Sequence, residues 1–457
     1  MQQRRPIGID LFAGAGGLAL GFEQAGFDVL TSVEYDPVHA AVHAFNFPQT
    51  EVLCADVALL SADGLRAAAE RGWLRHGNEG TWHGEIDVIF GGPPCQGFST
   101  IGKRLIDDKR NQLVFHFFRL VAELKPRYFV LENVPGMLAG GHLSILKCLI
   151  DEFEQIGYQI ASPPQVLCAA DFGVPQDRKR LFLLGAHPDQ RLPRYPTPTT
   201  CPAPKRSAIK NQQLNILPSV LPPGPIVNDA LGGLPDLDLF SALLETDEVS
   251  LCTEHLEEME RQKNHYTHYI RGLIEETQDF SITRFWDRTL LTSSMRTEHT
   301  EASIARFAET LPGHTEPISR FYRLDPKGLS NTLRAGTGSE RGAYTSPRPI
   351  HPFLPRVISV REAARLHSFP DWFRLHKTKW HGFREIGNSV PPLLGRAVGN
   401  AIIDALDVQP FRSNLVIELG STELLGFTMK EAAAYFGAHA DHIPAQRRRI
   451  SHDKVLQ

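Results

Sequence analysis

The chain is expected to fold as a doubly wound α/β domain with a mostly parallel, Rossmann-like sheet and a smaller inserted domain. Three observations predict this. Short apolar runs alternate with helical patterns through about the first 190 residues. Most of those runs lack the polar alternation of a half-exposed strand, so they read as strands covered on both faces. A glycine cluster follows the first run directly, where a doubly wound sheet places its binding turn.

Taken in order, 7–12 reads as the first strand and 18–25 as the first helix. Strands at 29–34, 52–56, 86–90 and 128–131 follow, with helices at 37–45, 111–124 and 144–156. Within 111–124, Leu113, Phe117, Leu120, Val121 and Leu124 recur at three- and four-residue spacing, which marks one buried helical face. An apolar strand at 181–185 closes the region. Right-handed crossovers then put the site at the carboxyl ends of the strands. Arg4 and Arg5 ahead of an apolar run imitate a secretion signal, but Asp10 and the glycines interrupt it.

The character changes after Ala186. Five prolines between Pro193 and Pro204, then Pro218, Pro222, Pro223 and Pro225, read as an extended connector. Residues 211–260 carry ten acidic side chains and no Lys or Arg. Residues 318–361 reverse this: eight basic residues, from Arg320, Arg323 and Lys327 through Arg334 and Arg341 to Arg348, Arg356 and Arg361, face only Asp325 and Glu340, a net of +6. Phe321, Tyr322, Tyr344 and the glycines at 336, 338 and 342 are interleaved there, a mixture suited to phosphate contacts and base stacking as well as to a solvated basic face. After Trp380, Ile386, Val390, Leu393, Leu394, Ala397, Val398 and Ile402 restore an amphipathic helix that opens at Pro391 and Pro392. These shifts divide the chain into a main domain at 1–189 and 376–412, an inserted domain at 190–375, and a tail at 413–457 with no assigned role.

The whole-chain numbers exclude several classes. At 457 residues, with 42% hydrophobic and 22% charged, disorder and fibre are ruled out. A formal net charge of −4 excludes a wholly basic nucleic-acid coat while leaving room for a local basic face. No apolar run approaches the roughly 18–20 residues that cross a bilayer. Six scattered cysteines with no Cys-x-x-Cys argue against a disulfide framework or a structural zinc site and for a reducing compartment. A cytoplasmic monomer without a metal is expected. His39 and His43, four residues apart on one helix, lack a third ligand and read as ordinary helix positions.

Four blocks carry candidate chemistry. Asp10 to Ala19 is a strand, a glycine turn and a helix start; Gly14, Gly16 and Ala19 satisfy the dinucleotide fingerprint, and Glu34 ends the next strand. That pattern fits NAD, FAD or S-adenosylmethionine, or simply a tight structural turn. Gly91-Gly92-Pro93-Pro94-Cys95-Gln96-Gly97 is more specific: Cys95 leaves a strand on a turn stiffened by two prolines, as an accessible nucleophile requires. Glu132 ends another apolar strand, where a carboxyl beside a cleft can hold a proton for a substrate or simply stand as a surface acid or a charge at a helix N-terminus. Gln176, Arg178 and Arg180 alternate on an extended segment and are expected to converge on one ligand.

The blocks DLFAGAGG, GGPPCQGFS, ENVPG, QDRKR and GNSVPP occur in this order, and in this the chain closely resembles the DNA (cytosine-5)-methyltransferases. The resemblance covers about 7–186 and 356–403. It implies that Cys95 is the nucleophile attacking C6 of cytosine, that Glu132 contacts N3 and the exocyclic amine, and that Arg178 contacts O2, with Gln176 and Arg180 as supports. It further implies that Phe12, Glu34 and Asp56 hold the adenosine of S-adenosylmethionine, that Gly14, Gly16, Gly17 and Pro93 line its pocket, and that Asn388 and Val390 complete it, S-adenosylhomocysteine being the product. The polar stretch 97–111 is similar to the loop that closes over a flipped base. The inserted region becomes the target-recognition domain, with Arg320, Arg323, Arg334 and Thr332 at double-stranded DNA and the acidic stretch facing away. A restriction-modification role is implied, with room for a cognate endonuclease that forms no stable complex. Other readings are an RNA substrate, an NAD- or FAD-dependent oxidoreductase, which leaves GGPPCQ and QDRKR unexplained, and a catalytically dead DNA-binding regulator.

Overall fold

The computed structural model describes residues 2–94, 112–204, 220–261, 264–336 and 348–438. Among the described residues, eight strands form one sheet: β1 (Ile7–Leu11), β2 (Asp28–Glu34), β3 (Glu51–Cys54), β4 (Val88–Gly91), β5 (Tyr128–Asn133), β6 (Gln159–Ile160), β7 (Gln165–Cys168) and β8 (Lys179–Ala186). The spatial order is β3-β2-β1-β4-β5-β8-β6, with β7 also paired to β8. The first five strands are mutually parallel, and β8 runs antiparallel to β5. A mostly parallel sheet was the expectation, and it is what forms. The order reverses at β1, so the turns leaving β1 and β4 open onto one crevice.

Helices cover both faces: α1 (Gly17–Ala25), α2 (Pro37–Asn46), α3 (Ala62–Arg75), α4 (Gln112–Leu124) and α5 (Gly141–Gln155), each close to its expected place except α3. That helix has weak amphipathicity built largely from alanine: Leu65, Ala68, Ala69 and Gly72 make its buried stripe, behind a Ser61 cap. The middle of the chain adds α6 (Val227–Leu231), α7 (Thr253–Arg261), α8 (His265–Ile270) and α9 (Glu301–Glu309), and the chain returns through α10 (Val360–Leu366), α11 (Lys379–Asn388) and α12 (Pro392–Leu406). The helix expected to open at Pro391 and Pro392 is α12, while Ile386 lies in the separate α11, the two divided where Ser389 and Pro391 are extended.

Val360, Ala363, Ala364, Leu366, Phe369 and Phe373 pack in one core with Leu18, Phe22 and Leu394, and Val227, Ala230, Tyr266 and Leu324 from the middle of the chain share that core. The stretch from 413 is no free tail as far as 438. Val416–Glu418 pairs in parallel with Thr283–Phe285, and Leu424, Leu425, Ala432 and Ala433 are buried around α13 (Met429–Tyr435). Its apolar residues are too few to announce a core element alone; the surface of α2 and the backbone at Lys377 give them partners. The rest of that stretch lies outside the described residues. No described helix is long and apolar enough to cross a membrane.

Candidate active site

The crevice is built first by the turn after β1. Phe12, Gly14 and Gly16 take left-handed φ angles of 64°, 56° and 103°. Gly14 donates its N–H to Glu34 Oε2 at 2.7 Å, and Glu34 Oε1 accepts from Asp36 N–H at 2.8 Å, so the acid ending β2 clips the turn leaving β1. Burial pushes the Glu34 carboxyl up, against the pull of His39 and those N–H groups. A side chain at Gly16 would start 2.3 Å from the Phe47 ring, and one at Gly17 would start 2.4 Å from the Val390 carbonyl oxygen. The two glycines are therefore demanded by packing, and the late block containing Val390 does return to this turn. Asn388 ends α11 and is exposed. Asp56 spends one oxygen capping a short turn, accepting from Ala58 N–H at 2.9 Å.

Some residues at this edge were not singled out from sequence. Asp10 is fully buried in β1, its two oxygens have no partner among the described residues, and burial with Glu34 nearby pushes its carboxyl well up. An acid inside an apolar run was the available signal. Tyr35, between Glu34 and Asp36, is 45% exposed and offers an aromatic face at the crevice edge. His43 is no ordinary helix position: its Nδ1 sits 3.3 Å from the Gly14 carbonyl oxygen, and burial depresses its pKa to about 4.

The second half of the crevice joins the turn after β4 to the end of β5. Cys95 and the stretch 97–111 lie outside the described residues, but the chain leading to Cys95 is described. Asn133 Nδ2 donates to the Pro93 carbonyl at 3.1 Å, fastening that turn to β5. A Cβ at Gly92 would lie 2.6 Å from Glu132 Oε2, so only glycine lets the carboxyl lie against this turn. Glu132 is 8% exposed and pairs through Oε1 with Arg180 Nε at 2.9 Å. Burial raises its pKa even though Arg180 and Arg178 both oppose the rise. Burial that raises a carboxyl's pKa favours its protonated form, the form that donates to a ring nitrogen.

The expected convergence of Gln176, Arg178 and Arg180 does not occur. Arg178 is wholly buried, donating to the carbonyls of Leu333 at 2.7 Å, Gly387 at 2.7 Å and Ser389 at 2.8 Å. Gln176 donates to Leu366 O at 3.2 Å and accepts from Leu333 N–H at 3.2 Å. Alternation fails because the strand is broken: Gln176–Asp177 pairs with Ser330–Asn331, β8 starts only at Lys179, and Arg178 N–H closes a three-residue turn onto Gln176 O at 2.9 Å. Arg180, expected as a support, is the guanidinium at the carboxyl, and Arg178, expected at the substrate, is the support.

The basic segment divides in the same way. Arg323 is a correction: it is 7% exposed and donates to the carbonyls of Phe307, Thr310 and Pro352, so no phosphate is within its reach. Arg356 pairs with Glu362 at 2.8 Å, and Arg361 serves the carbonyls of Thr292 and Phe373. Arg320 and Arg334 are exposed. Thr332 Oγ1 donates to Asp177 O at 2.6 Å, which ties the insert to the catalytic body. The acidic stretch is also partly paired internally, Glu248 with Arg374 and Asp238 with Arg296.

The model of the C-5 cytosine-specific DNA methylase family matches residues 8–404. The chain is 49% identical over 446 residues to the type II methyltransferase M.XorII of Xanthomonas oryzae pv. oryzae, covering 98% of this chain and 96% of that protein. It is 32% identical to the type II methyltransferase M.AgeI of Thalassovita gelatinovora, over 86% of this chain and 98% of the other. Among solved structures, a prophage-encoded E. coli protein described as a candidate DNA modification methyltransferase superposes with a TM-score of 0.64 at 33% identity, covering 88% of this chain and 99% of that one. The Dnmt2 methyltransferase of S. pombe, at 14% identity and a TM-score of 0.50, shares the fold. A glycine fingerprint that fitted several cofactors thus sits in a chain matched almost end to end, and the chain belongs to the C-5 cytosine-specific DNA methylase family.

Proposed function

We propose that this enzyme transfers a methyl group from S-adenosylmethionine to C5 of a cytosine flipped out of a specific double-stranded DNA sequence, through a covalent bond between Cys95 and C6. The observation that carries the reading is the buried Glu132 carboxyl, raised in pKa, paired with Arg180 and lying against Gly92, three residues before Cys95. C5 of cytosine is a poor nucleophile. Addition of the Cys95 thiolate to C6, with the Glu132 proton passing to N3, breaks the aromatic ring and leaves C5 enamine-like. Once C5 carries the methyl group, a base removes its proton, the C6–sulfur bond breaks, and the thiolate leaves. We assign the O2 contact to Arg180, because both terminal nitrogens of Arg178 already donate to backbone carbonyls, Nη1 to Leu333 and Nη2 to Gly387 and Ser389.

The residues present fit the methyl donor. Gly14 faces open space, Glu34 clips the turn beneath it and Val390 returns to that turn at Gly17; we assign Phe12, Tyr35, Asp56, Pro93 and Asn388 to the same donor pocket. The donor supplies an electrophilic sulfonium methyl; the chain's part is to hold it beside C5 and keep water out. The flipped base costs a few kcal/mol of stacking, which phosphate contacts from exposed residues such as Arg320 and Arg334 offset. The kinship to type II methyltransferases supports protection of host DNA beside an endonuclease that reads the same site. Duplex DNA carrying 5-fluorocytosine, incubated with enzyme and S-adenosylmethionine, should give a complex resistant to denaturation, because fluorine cannot leave as the proton does. Cys95→Ser should bind the same DNA without forming it. Absence of the adduct in the wild-type enzyme, with DNA binding intact, removes Cys95 as the nucleophile.

A further inference from the structure

A cleft away from the crevice lies between the end of α8, the 286–292 segment and Asp371. Its walls are leucines, Met259 and Trp286; its charged lining is Arg271, Arg288, Arg361 and Asp371. Asp371 and Glu260 are the carboxylates that act on the Arg271 charge, and Asp371 is already committed. Both Asp371 oxygens are held by Arg365, at 2.9 and 2.6 Å, and Arg361 is consumed by Thr292, Pro370 and Phe373. Arg288 gives one nitrogen to Gly272 O at 2.9 Å. Arg271 is 7% exposed, and its buried Nη1 has no acceptor among the described residues. A buried guanidinium nitrogen without an acceptor costs free energy that an anion recovers.

We propose that this cleft binds a small free oxyanion, of the phosphate or carboxylate class, on Arg271 with Arg288 as the second cation and Trp286 beside it. Guanidinium geometry favours such a planar or tetrahedral oxyanion over a spherical ion. The site shares no residue with those around Glu132 and Glu34.

Inorganic phosphate, titrated at constant ionic strength into the DNA-free full chain, is the probe. The midpoint of thermal unfolding should rise with saturable dependence on phosphate, and the emission change that accompanies it should vanish in Trp286→Phe. Arg271→Met should weaken the apparent affinity at least tenfold, and Arg288→Met several-fold. Should Arg271→Met fail to fold, Leu273→Trp, which fills the cleft and keeps the guanidinium, must show the same loss. No saturable effect in the wild-type protein, or an equal effect in Arg271→Met or Leu273→Trp, overturns the site. Displacement of phosphate by a duplex oligonucleotide overturns a free ligand as the occupant.

Discussion

Arg178 and Arg180 stand two residues apart and face opposite demands. A guanidinium sunk among three carbonyls is a bolt: each carbonyl would otherwise be buried without a donor. Arg178→Met is therefore expected to lower unfolding free energy by at least about 3 kcal/mol, read by urea denaturation. Arg180→Met is expected to leave the urea midpoint nearly in place and to cut kcat by roughly 10²–10³, the scale of losing one preorganised charge-stabilising donor. Removing Arg180 also removes the strongest influence that lowers the Glu132 pKa, so the limb of the pH–rate profile that reports this acid should move to higher pH. A profile that stays put would detach Glu132 from the proton step. At the DNA face, Arg320→Gln and Arg334→Gln should each reduce the slope of log affinity against log salt by about 0.9 if each meets one phosphate. Arg323→Gln should leave that slope unchanged and act on folding, since its hydrogens go to backbone carbonyls.

At the scale of elements, the joint between insert and body is a clasp of crossing backbones. Ser330–Asn331 adds a short parallel pairing to Gln176–Asp177, Arg178 reaches through to both sides, and the backbone of Arg334 and Ala335 lies on Gly387 of α11. A Cβ at Gly387 would come within 2.2 Å of the Ala335 nitrogen, a contact that only backbone displacement relieves. Gly387→Ala is accordingly expected to cost roughly 1–3 kcal/mol of stability. An unchanged urea midpoint would mean that these backbones do not touch. Elements with strong periodicity or apolar runs, such as β1, β5 and α4, were legible from sequence because burial on the sheet demands those patterns. Helix α3, with small buried residues, and the break at Arg178 were not, because neither leaves a hydrophobic trace. The net charge of +6 over 318–361 misled for a similar reason. A linear count does not distinguish an arginine facing water from one donating to distant carbonyls.

Over the whole molecule, the chain's last described elements close its first. Glycines at 21 and 395 let α1 and α12 approach until a Cβ on Gly21 would meet Gly395 backbone at 2.6 Å, and residues 422–435 pack across α2. In that seam lies Glu385, whose Oε2 accepts from His376 N–H at 3.0 Å while Oε1 has no partner among the described residues. Burial pushes its pKa up to about 7, with His39 and the His376 N–H opposing. A carboxyl that prefers its proton when folded contributes stability below its ordinary pKa of 4.5, and that contribution is lost as pH rises to about 7. Unfolding free energy should thus fall by on the order of 2–3 kcal/mol across that window from this group. Glu385→Gln, which keeps an acceptor for His376 N–H, should flatten this part of the profile and be the more stable protein at pH 8. Equal pH dependence in the two proteins would show that the proton is not held there.

The amino-acid sequence by itself determined the sheet, the turns after β1 and β4, the acid at 132 and the family, since each depends on residue types at short spacing. Only the tertiary structure decided which arginine meets the carboxyl and which basic residues face outward. Arg178 is held by carbonyls brought in from 155 to 211 residues away, those of Leu333, Gly387 and Ser389. No local pattern records a partner that arrives only when the chain has closed on itself.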